Sequence, residues 1–238
     1  SGGQIGQVFR VKLTDGSSLV VKFDDQADPQ LEIEGAMLRY LDRQTSLPVP
    51  GVIFSQPHLL IMEWLPGQSR FSAAAERDAA VHLAALHAVT APTFGFPFDT
   101  LIGALPQPNP QTASWIEFFR EQRLRHLARL GVELNRLPAA FLPRLDQLYD
   151  RLDQWLPEPE RPSLIHGDIW TSNVLAENGR ITAFLDPALY FGVDEMELAY
   201  IALFNSFGAT FFQTYESLRP LTPGFYEERR HLYALYPL

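Results

Sequence analysis

Residues 164–187 constrain the fold of this chain more than any other stretch of its sequence. They read L-I-H-G-D-I-W-T-S-N-V-L-A-E-N-G-R-I-T-A-F-L-D-P. Two apolar runs flank the Asn-Gly dipeptide at 178–179, and this arrangement is the strongest short-range signal for a β-hairpin. We therefore predict a small hairpin that brings Asp168, Asn173 and Asp186 together at its edges.

The predicted cluster contains two carboxylates and one amide. Oxygen ligands of this kind suit Mg²⁺, which takes few protein ligands and keeps positions for water and phosphate. The order of Asp, four intervening residues, Asn and then a later Asp is also that of a kinase catalytic loop followed by its metal-binding Asp. The pattern therefore predicts phosphoryl-transfer chemistry.

Composition places the chain among ordinary globular proteins. Its 238 residues are 46% hydrophobic and 20% charged, which fits one large domain or two packed lobes. A net charge of −9 argues against nucleic-acid binding, and the absence of cysteine excludes disulfides and thiol nucleophiles. No apolar run approaches the roughly 20 residues of a membrane helix. We expect a cytoplasmic protein without nucleic-acid or membrane partners, and we expect both of its ends to be trimmed.

The first 66 residues predict a small antiparallel sheet with one helix. Alternating apolar residues indicate the strands, an Asp-Gly turn joins the first two, and one segment has helical periodicity. Lys22 shares a strand face with Val20, because side chains two residues apart point the same way. The predicted strands cover residues 7–14, 18–23, 52–55 and 59–64, and the helix covers residues 31–43.

From residue 67 onwards the pattern is mainly helical. The Pro-Gly dipeptide at 66–67 ends the last strand of the first part and marks a linker. Strands followed by helices around one hairpin predict an α+β fold with two lobes, residues 1–66 and 67–238. The predicted helices cover residues 73–89, 113–130, 138–156, 194–205, 209–219 and 223–236, and a Pro/Gly-rich loop covers residues 91–110.

Several motifs in these elements match one family. They include S-G-G-Q-I at the start, V-V-K-F around Lys22, E-G-A-M-L around Glu34, L-I-M-E-W-L-P-G before the linker, W-I-E-F-F-R-E-Q-R-L from Trp115, H-G-D-I-W-T-S-N and L-D-P-A-L-Y-F-G. With them the chain resembles the fructosamine/ketosamine kinases, over nearly its whole length. This group lies within the protein-kinase-like small-molecule kinases, which also hold the aminoglycoside and choline kinases.

The resemblance implies a two-lobed protein-kinase-like fold, with a small N-terminal sheet lobe carrying one helix and a large, mainly helical C-terminal lobe. It also implies a reaction. The γ-phosphoryl group of ATP, bound with Mg²⁺, would be transferred to a sugar hydroxyl of a ketosamine, the adduct of a sugar with an amine. The phosphorylated adduct would then break down and release the amine.

The resemblance further implies residue roles. Asp168 would orient the attacking hydroxyl and accept its proton, and Asn173 and Asp186 would hold Mg²⁺. His166 and Trp170 would contact the sugar, although a loop-bracing histidine and a core tryptophan are the alternatives. Lys22 would contact the α- and β-phosphates and pair with Glu34. The nucleotide would be bound by Gly2, Gly3, Val20, Lys22, Glu34, Met62, Glu63 and Leu65.

Other interpretations remain open from the sequence. The chain could phosphorylate another small hydroxyl substrate, such as an aminoglycoside or a choline-like alcohol. A pseudokinase is disfavoured because Lys22, Asp168, Asn173 and Asp186 are all present. A metal-dependent hydrolase would give no reason for Lys22. The acids at 194, 195 and 197 are better explained by the preference for negative charge at a helix N-terminus than by a substrate amine.

Overall fold

The computed structural model describes residues 6–237. The first part of this range is a four-stranded antiparallel sheet in the order β1-β2-β4-β3, with one helix packed on it. The predicted strands and helix are confirmed, with ends that differ by one or two residues. Their bounds are β1 Gln7–Lys12, β2 Ser18–Phe23, α1 Leu31–Gln44, β3 Val52–Gln56 and β4 Leu59–Glu63.

The apolar face of α1 lies against one face of this sheet. Leu31 and Leu38 of the helix form a buried cluster with Leu60 and Met62 of β4. Lys22 pairs with Leu60 across the β2–β4 ladder, so its side chain emerges on the face that α1 covers. The sheet therefore delivers the lysine beneath the helix and not into solvent.

The second part of the chain is mainly helical. Its core is one large apolar cluster that joins the helices to the central hairpin. The helices are α2 Ala73–His87, α3 Trp115–Phe118, α4 His126–Glu133, α5 Leu142–Tyr149, α6 Asp194–Leu203, α7 Ala209–Leu218 and α8 Arg230–Tyr233. The strands are β5 Thr100–Ile102, β6 Leu105–Gln107, β7 Ser163–Ile165, β8 Val174–Glu177, β9 Arg180–Phe184 and β10 Tyr190–Gly192.

Three predicted helices are less regular than their sequence patterns indicated. The 113–130 helix contains a π-helical turn, Phe119–Arg125, between α3 and α4. The segment 138–156 contains only α5 and short 3₁₀ turns. Helix α5 begins with Leu142 and Pro143, so a proline lies in its first turn. The last helix begins with a second π-helical turn after Gly224, whose φ of +91° ends the preceding loop. Apolar periodicity near 3.6 does not distinguish these wider or tighter turns from α-helix.

The predicted hairpin is confirmed as β8–β9, with Asn178 and Gly179 at positive φ in its turn. The linker between the two parts of the chain lies directly on it. Gln68 and Ala176 exchange backbone hydrogen bonds of 2.9 and 3.0 Å. A Cβ at Gly67 would stand 2.6 Å from Thr182 Oγ1, so only glycine permits this close approach. The linker is thereby held in register with the hairpin.

The same hairpin also touches the first part of the chain, because Phe184 N donates to Pro48 O at 2.8 Å. Between residues 6 and 237, no helix is both long enough and apolar enough to cross a lipid bilayer.

Candidate active site

The loop after β7 carries the predicted general base. Gly167 has a φ of +85°, and a Cβ there would collide with the carbonyl oxygen of Ala188. This close approach brings the loop against the segment that follows Asp186, where Ala188 N donates to His166 O at 2.8 Å. Leu185 N donates to Asn173 O at 2.8 Å from the other side. Backbone contacts therefore bring the three predicted polar residues to one place.

Asp168 is held by hydrogen bonds to both of its carboxylate oxygens. Asn173 Nδ2 donates to Oδ2 at 2.9 Å and to the Asp168 carbonyl at 3.1 Å. Tyr200, on α6, donates its phenol hydrogen to Oδ1. Burial raises the pKa of Asp168 to about 6, since the bonds from Tyr200 and Asn173 only partly oppose that effect and the Asp186 charge adds to it.

Lys22 joins the sheet to the hairpin. Its ammonium group lies 2.7 Å from Glu34 Oε1 on α1 and also contacts Asp186 Oδ1. Burial disfavours the charged lysine, but the two carboxylates outweigh it and raise its pKa. Burial raises the pKa of Glu34 to about 7, with Lys22 opposing the shift and Asp186 adding to it. The predicted Lys22–Glu34 pair is confirmed as a contact.

The charges around the cleft do not balance. One ammonium, that of Lys22, faces the carboxylates of Glu34 and Asp186, and Asp168 couples electrostatically to Asp186. With all three acids ionised, two negative charges are left over. Asp186 is half exposed, and Asn173 directs its amide nitrogen to Asp168, which leaves the amide oxygen for another partner. This donor set and this charge fit one divalent cation.

The other predicted nucleotide residues occupy the sheet and the linker. Val20 is half-buried beside the cluster that contains Met62, which is 3% exposed. Glu63 is exposed, and its backbone N–H donates to Gly51 O at 2.8 Å. Leu65 is half-buried in the linker. Gly2 and Gly3 lie outside the described residues.

The two predicted substrate residues have different environments. Trp170 is 39% exposed and stands two residues after Asp168, so its ring is accessible to a ligand. His166 is fully buried, its Nδ1 accepts a hydrogen bond from Asp168 N at 3.3 Å, and its ring packs near Phe184. That placement corresponds to the loop-bracing alternative and gives His166 no surface on which a sugar could rest.

Two residues hold the Asp168 loop in ways that the sequence did not predict: Tyr200, and Glu197, which was attributed to the helix N-terminus. Glu197 is fully buried on α6 and accepts hydrogen bonds from Gly167 N at 2.7 Å and His166 N at 3.2 Å. Its Oε2 also lies 2.9 Å from Nε2 of the buried His87, so His87 is a member of the same buried polar network. The second residue is Tyr200, whose phenol donates a hydrogen bond to Asp168 Oδ1.

The acids that precede Glu197 behave as the helix interpretation predicted. Asp194 lies 2.8 Å from Arg219, and Glu195 forms a two-pronged contact with Arg229. They are structural ion pairs of the helix and not part of the cleft. Val8, which pairs with Lys22 across the β1–β2 ladder, is a further cleft-side residue that the sequence reasoning did not single out.

Comparison with known proteins agrees with this geometry. The family model for fructosamine kinase matches residues 1–238. The chain belongs to the fructosamine kinase family. A Synechocystis sp. protein provisionally named a ketoamine kinase is 41% identical over 248 residues, which cover 99% of this chain and 80% of the relative.

Solved structures show the same relationship. A Thermobifida fusca crystal structure, provisionally identified as a fructosamine-3-kinase, is 32% identical with a TM-score of 0.87, covering 99% of this chain and 82% of the other. Aminoglycoside phosphotransferase APH(4)-Ia is 22% identical with a TM-score of 0.66, covering 99% of this chain and 81% of the other, and shows a shared fold. The fold is therefore the predicted two-lobed, protein-kinase-like α+β fold. The chain is an ATP-dependent kinase of ketosamines, as the motifs indicated.

Proposed function

We propose that ATP binds between the N-terminal sheet and the β8–β9 hairpin, and that Asp168 directs a ketosamine hydroxyl onto the γ-phosphorus of ATP. The hydroxyl oxygen forms a new bond to phosphorus, the bond to the β-phosphate oxygen breaks, and ADP leaves. The hydroxyl proton passes to Asp168. The observation that carries the proposal is the bridge from Lys22 to both Glu34 and Asp186, since it joins the phosphate-binding cation to the metal-binding acid.

The nucleotide would lie mainly against residues 1–66, and the sugar against residues 67–238. Val20 and Val8 occupy neighbouring positions on the cleft side of the sheet, where apolar side chains suit an adenine face. The Glu63 carbonyl and the Leu65 N–H are backbone groups at the linker that suit the adenine edge.

Asn173 and Asp186 would hold Mg²⁺. The cation would supply the positive charge that the cleft lacks and would neutralise charge on the transferring phosphoryl group. Lys22 would contact the α- and β-phosphates as a compact point charge. Its pairing with Glu34 fixes the position of the ammonium group, so that little ordering is needed when the nucleotide arrives.

Trp170 would be the stacking platform for the sugar, because its exposed ring follows Asp168 closely in the loop. His166 has no part in substrate contact under this proposal. A cytoplasmic location, where ATP is abundant, completes the proposal.

A coupled ADP-release assay tests the proposal. The substrates are synthetic fructosyl- and ribulosyl-amines, and an aminoglycoside and choline are tested as the alternative substrates. We expect turnover on at least one ketosamine, dependence on Mg²⁺, and a fall of turnover to a small residual rate in Asp168→Ala. Turnover on the aminoglycoside or choline alone would contradict the substrate class. Full turnover by Asp168→Ala would contradict the role of Asp168.

A further inference from the structure

We infer that Tyr200 is the positioning residue for Asp168, holding its carboxylate in the orientation that receives the substrate hydroxyl. The inference rests on the proposed function, in which Asp168 directs that hydroxyl. None of the motifs that carry the family resemblance includes this tyrosine, and its contact with Asp168 forms where α6 crosses the loop.

The hydrogen bonds around Asp168 leave its carboxylate little freedom. Tyr200 donates to Oδ1 and Asn173 donates to Oδ2 at 2.9 Å. Rotation of the carboxylate about its Cβ–Cγ bond would break both. An ionised carboxylate has about four lone-pair sites, so each oxygen keeps one site free for a substrate hydroxyl. Tyr200 and Asn173 therefore fix the orientation of the Asp168 carboxylate and still leave it able to accept a hydrogen bond from the substrate.

Helix α6 and the residues after it hold the catalytic loop at three consecutive positions. Glu197 accepts from Gly167 N at 2.7 Å, and Ser206 Oγ donates to Ile169 O at 3.0 Å. These two contacts hold the backbone of the loop on either side of Asp168. Tyr200, three residues after Glu197 and on the same helix face, makes the middle contact, and it alone reaches the reactive group.

The ring of Tyr200 is itself held in place. Tyr200 is 9% exposed, and its ring centroid lies 4.7 Å from that of Phe204 with the planes tilted by 44°. An aromatic pair of this geometry restricts the ring beyond simple burial. The phenol oxygen is therefore delivered to Asp168 by a side chain that has lost most of its rotational freedom.

Two effects of the phenol on the reaction have opposite signs. A hydrogen bond to a general base weakens its attraction for the substrate proton, whereas fixing its orientation removes unproductive geometries. Phosphoryl transfer depends mainly on alignment and charge, with little demand for a strong base. Orientation therefore outweighs basicity, and loss of the phenol should slow the reaction.

Tyr200→Phe removes only the hydroxyl. We expect kcat for ketosamine phosphorylation to fall on the order of 10- to 100-fold, which is the range that a hydrogen bond to a charged group represents. KM for ATP and for the ketosamine should stay within about threefold, because the variant removes no substrate contact. Tyr226→Phe is the matched control, since it deletes another tyrosine–carboxylate bond, to Glu216, away from the cleft. Its kcat should be unchanged.

A double variant separates positioning from a general structural effect. In an Asp168→Ala background, Tyr200→Phe should lower the residual rate by less than about twofold, because its partner is gone. The slow hydrolysis of ATP by water provides a second rate that needs no ketosamine, and it should fall in Tyr200→Phe as well.

Three outcomes overturn the inference. An unchanged or higher kcat in Tyr200→Phe would mean that the phenol has no effect or competes with the substrate hydroxyl. An equal loss with and without Asp168 would mean that Tyr200 acts elsewhere. Absence of both ketosamine phosphorylation and ATP hydrolysis in the unaltered protein would refute the proposed function, and this inference with it.

Discussion

Replacing Glu197 by glutamine tests whether a buried carboxylate on α6 holds the catalytic loop. Glu197 is fully buried, and its two oxygens accept from Gly167 N, His166 N and the ring of His87. Burial disfavours its ionisation, but His87 and the backbone of Gly167 outweigh that effect and lower its pKa. The carboxylate is therefore the form that the site stabilises.

The magnitude follows from the contacts. Glutamine has the same shape, but an NH₂ group replaces one of the two carboxylate oxygens. That NH₂ group is a donor and would face the N–H donors that the oxygen accepted from. At least one backbone N–H of the loop then loses its acceptor, and the remaining bonds lose their charged partner. Hydrogen bonds to charged groups contribute about 1.5–3 kcal/mol each, and an unsatisfied buried donor costs about 1–3 kcal/mol. We expect a loss of about 2–4 kcal/mol in the free energy of unfolding.

Thermal denaturation and kinetics measure the effect together. For a chain of this length about 1 kcal/mol corresponds to about 2–4 °C in Tm, so Glu197→Gln should melt about 4–16 °C lower. Its kcat should fall at temperatures where the variant is still folded, because Gly167 precedes Asp168 directly. Glu227→Gln, at an exposed position, is the control. A Glu197→Gln variant with unchanged Tm and kcat would show that the reasoning is wrong.

Three further predictions concern other parts of the structure. Lys22→Met should raise KM for ATP and lower kcat, measured by ADP release, because it removes the cation shared by two carboxylates; an unchanged KM for ATP would contradict its phosphate role. Gly167→Ala should lower Tm more than Gly16→Ala, since both have positive φ but only the first meets backbone of Ala188; equal losses of Tm would contradict the packing argument. The pKa of Asp194 is lowered, because hydrogen bonds and nearby cations outweigh the effect of burial. The ionised Asp194 therefore stabilises the folded protein above the ordinary carboxyl pKa, and this stabilisation is lost as pH falls through the lower folded-state pKa. Asp194→Asn should therefore reduce Tm at pH 7 and show a smaller difference from the unaltered protein near pH 3, and a difference that grows towards acid would contradict this sign.

The sequence predicted those parts of the site that local patterns determine. Asn178 and Gly179 determine the turn of the hairpin, and the hairpin determines where Asn173 and Asp186 lie, so their convergence followed from spacing. The Lys22–Glu34 contact followed from the family resemblance and not from periodicity. Strand alternation alone placed Lys22 on an apolar face without naming its partner.

The rest depended on tertiary contacts that leave no local signal. Tyr200 and Glu197 lie in α6, about thirty residues after the loop they hold, and a tyrosine or glutamate in a helix is usually core or surface. The strands β5, β6 and β10 have three residues each, which is too short for alternation to be recognised. Thr100 and Gln107 of β5–β6 donate to the carbonyls of Leu189 and Ala188, so a loop rich in Pro and Gly turned out to support the segment after Asp186.

Calorimetric titration with a non-hydrolysable ATP analogue, with and without Mg²⁺, tests the central claim most directly. That claim separates residues that bind the metal–nucleotide complex from the residue that acts on the substrate hydroxyl. Asp186→Asn should lose the increase in affinity that Mg²⁺ gives to the unaltered protein. Asp168→Ala should keep that increase and lose all but a small residual rate of turnover. If Asp186→Asn kept the Mg²⁺-dependent affinity, or if Asp168→Ala lost it to the same extent, the assignment of roles in the cleft would be contradicted.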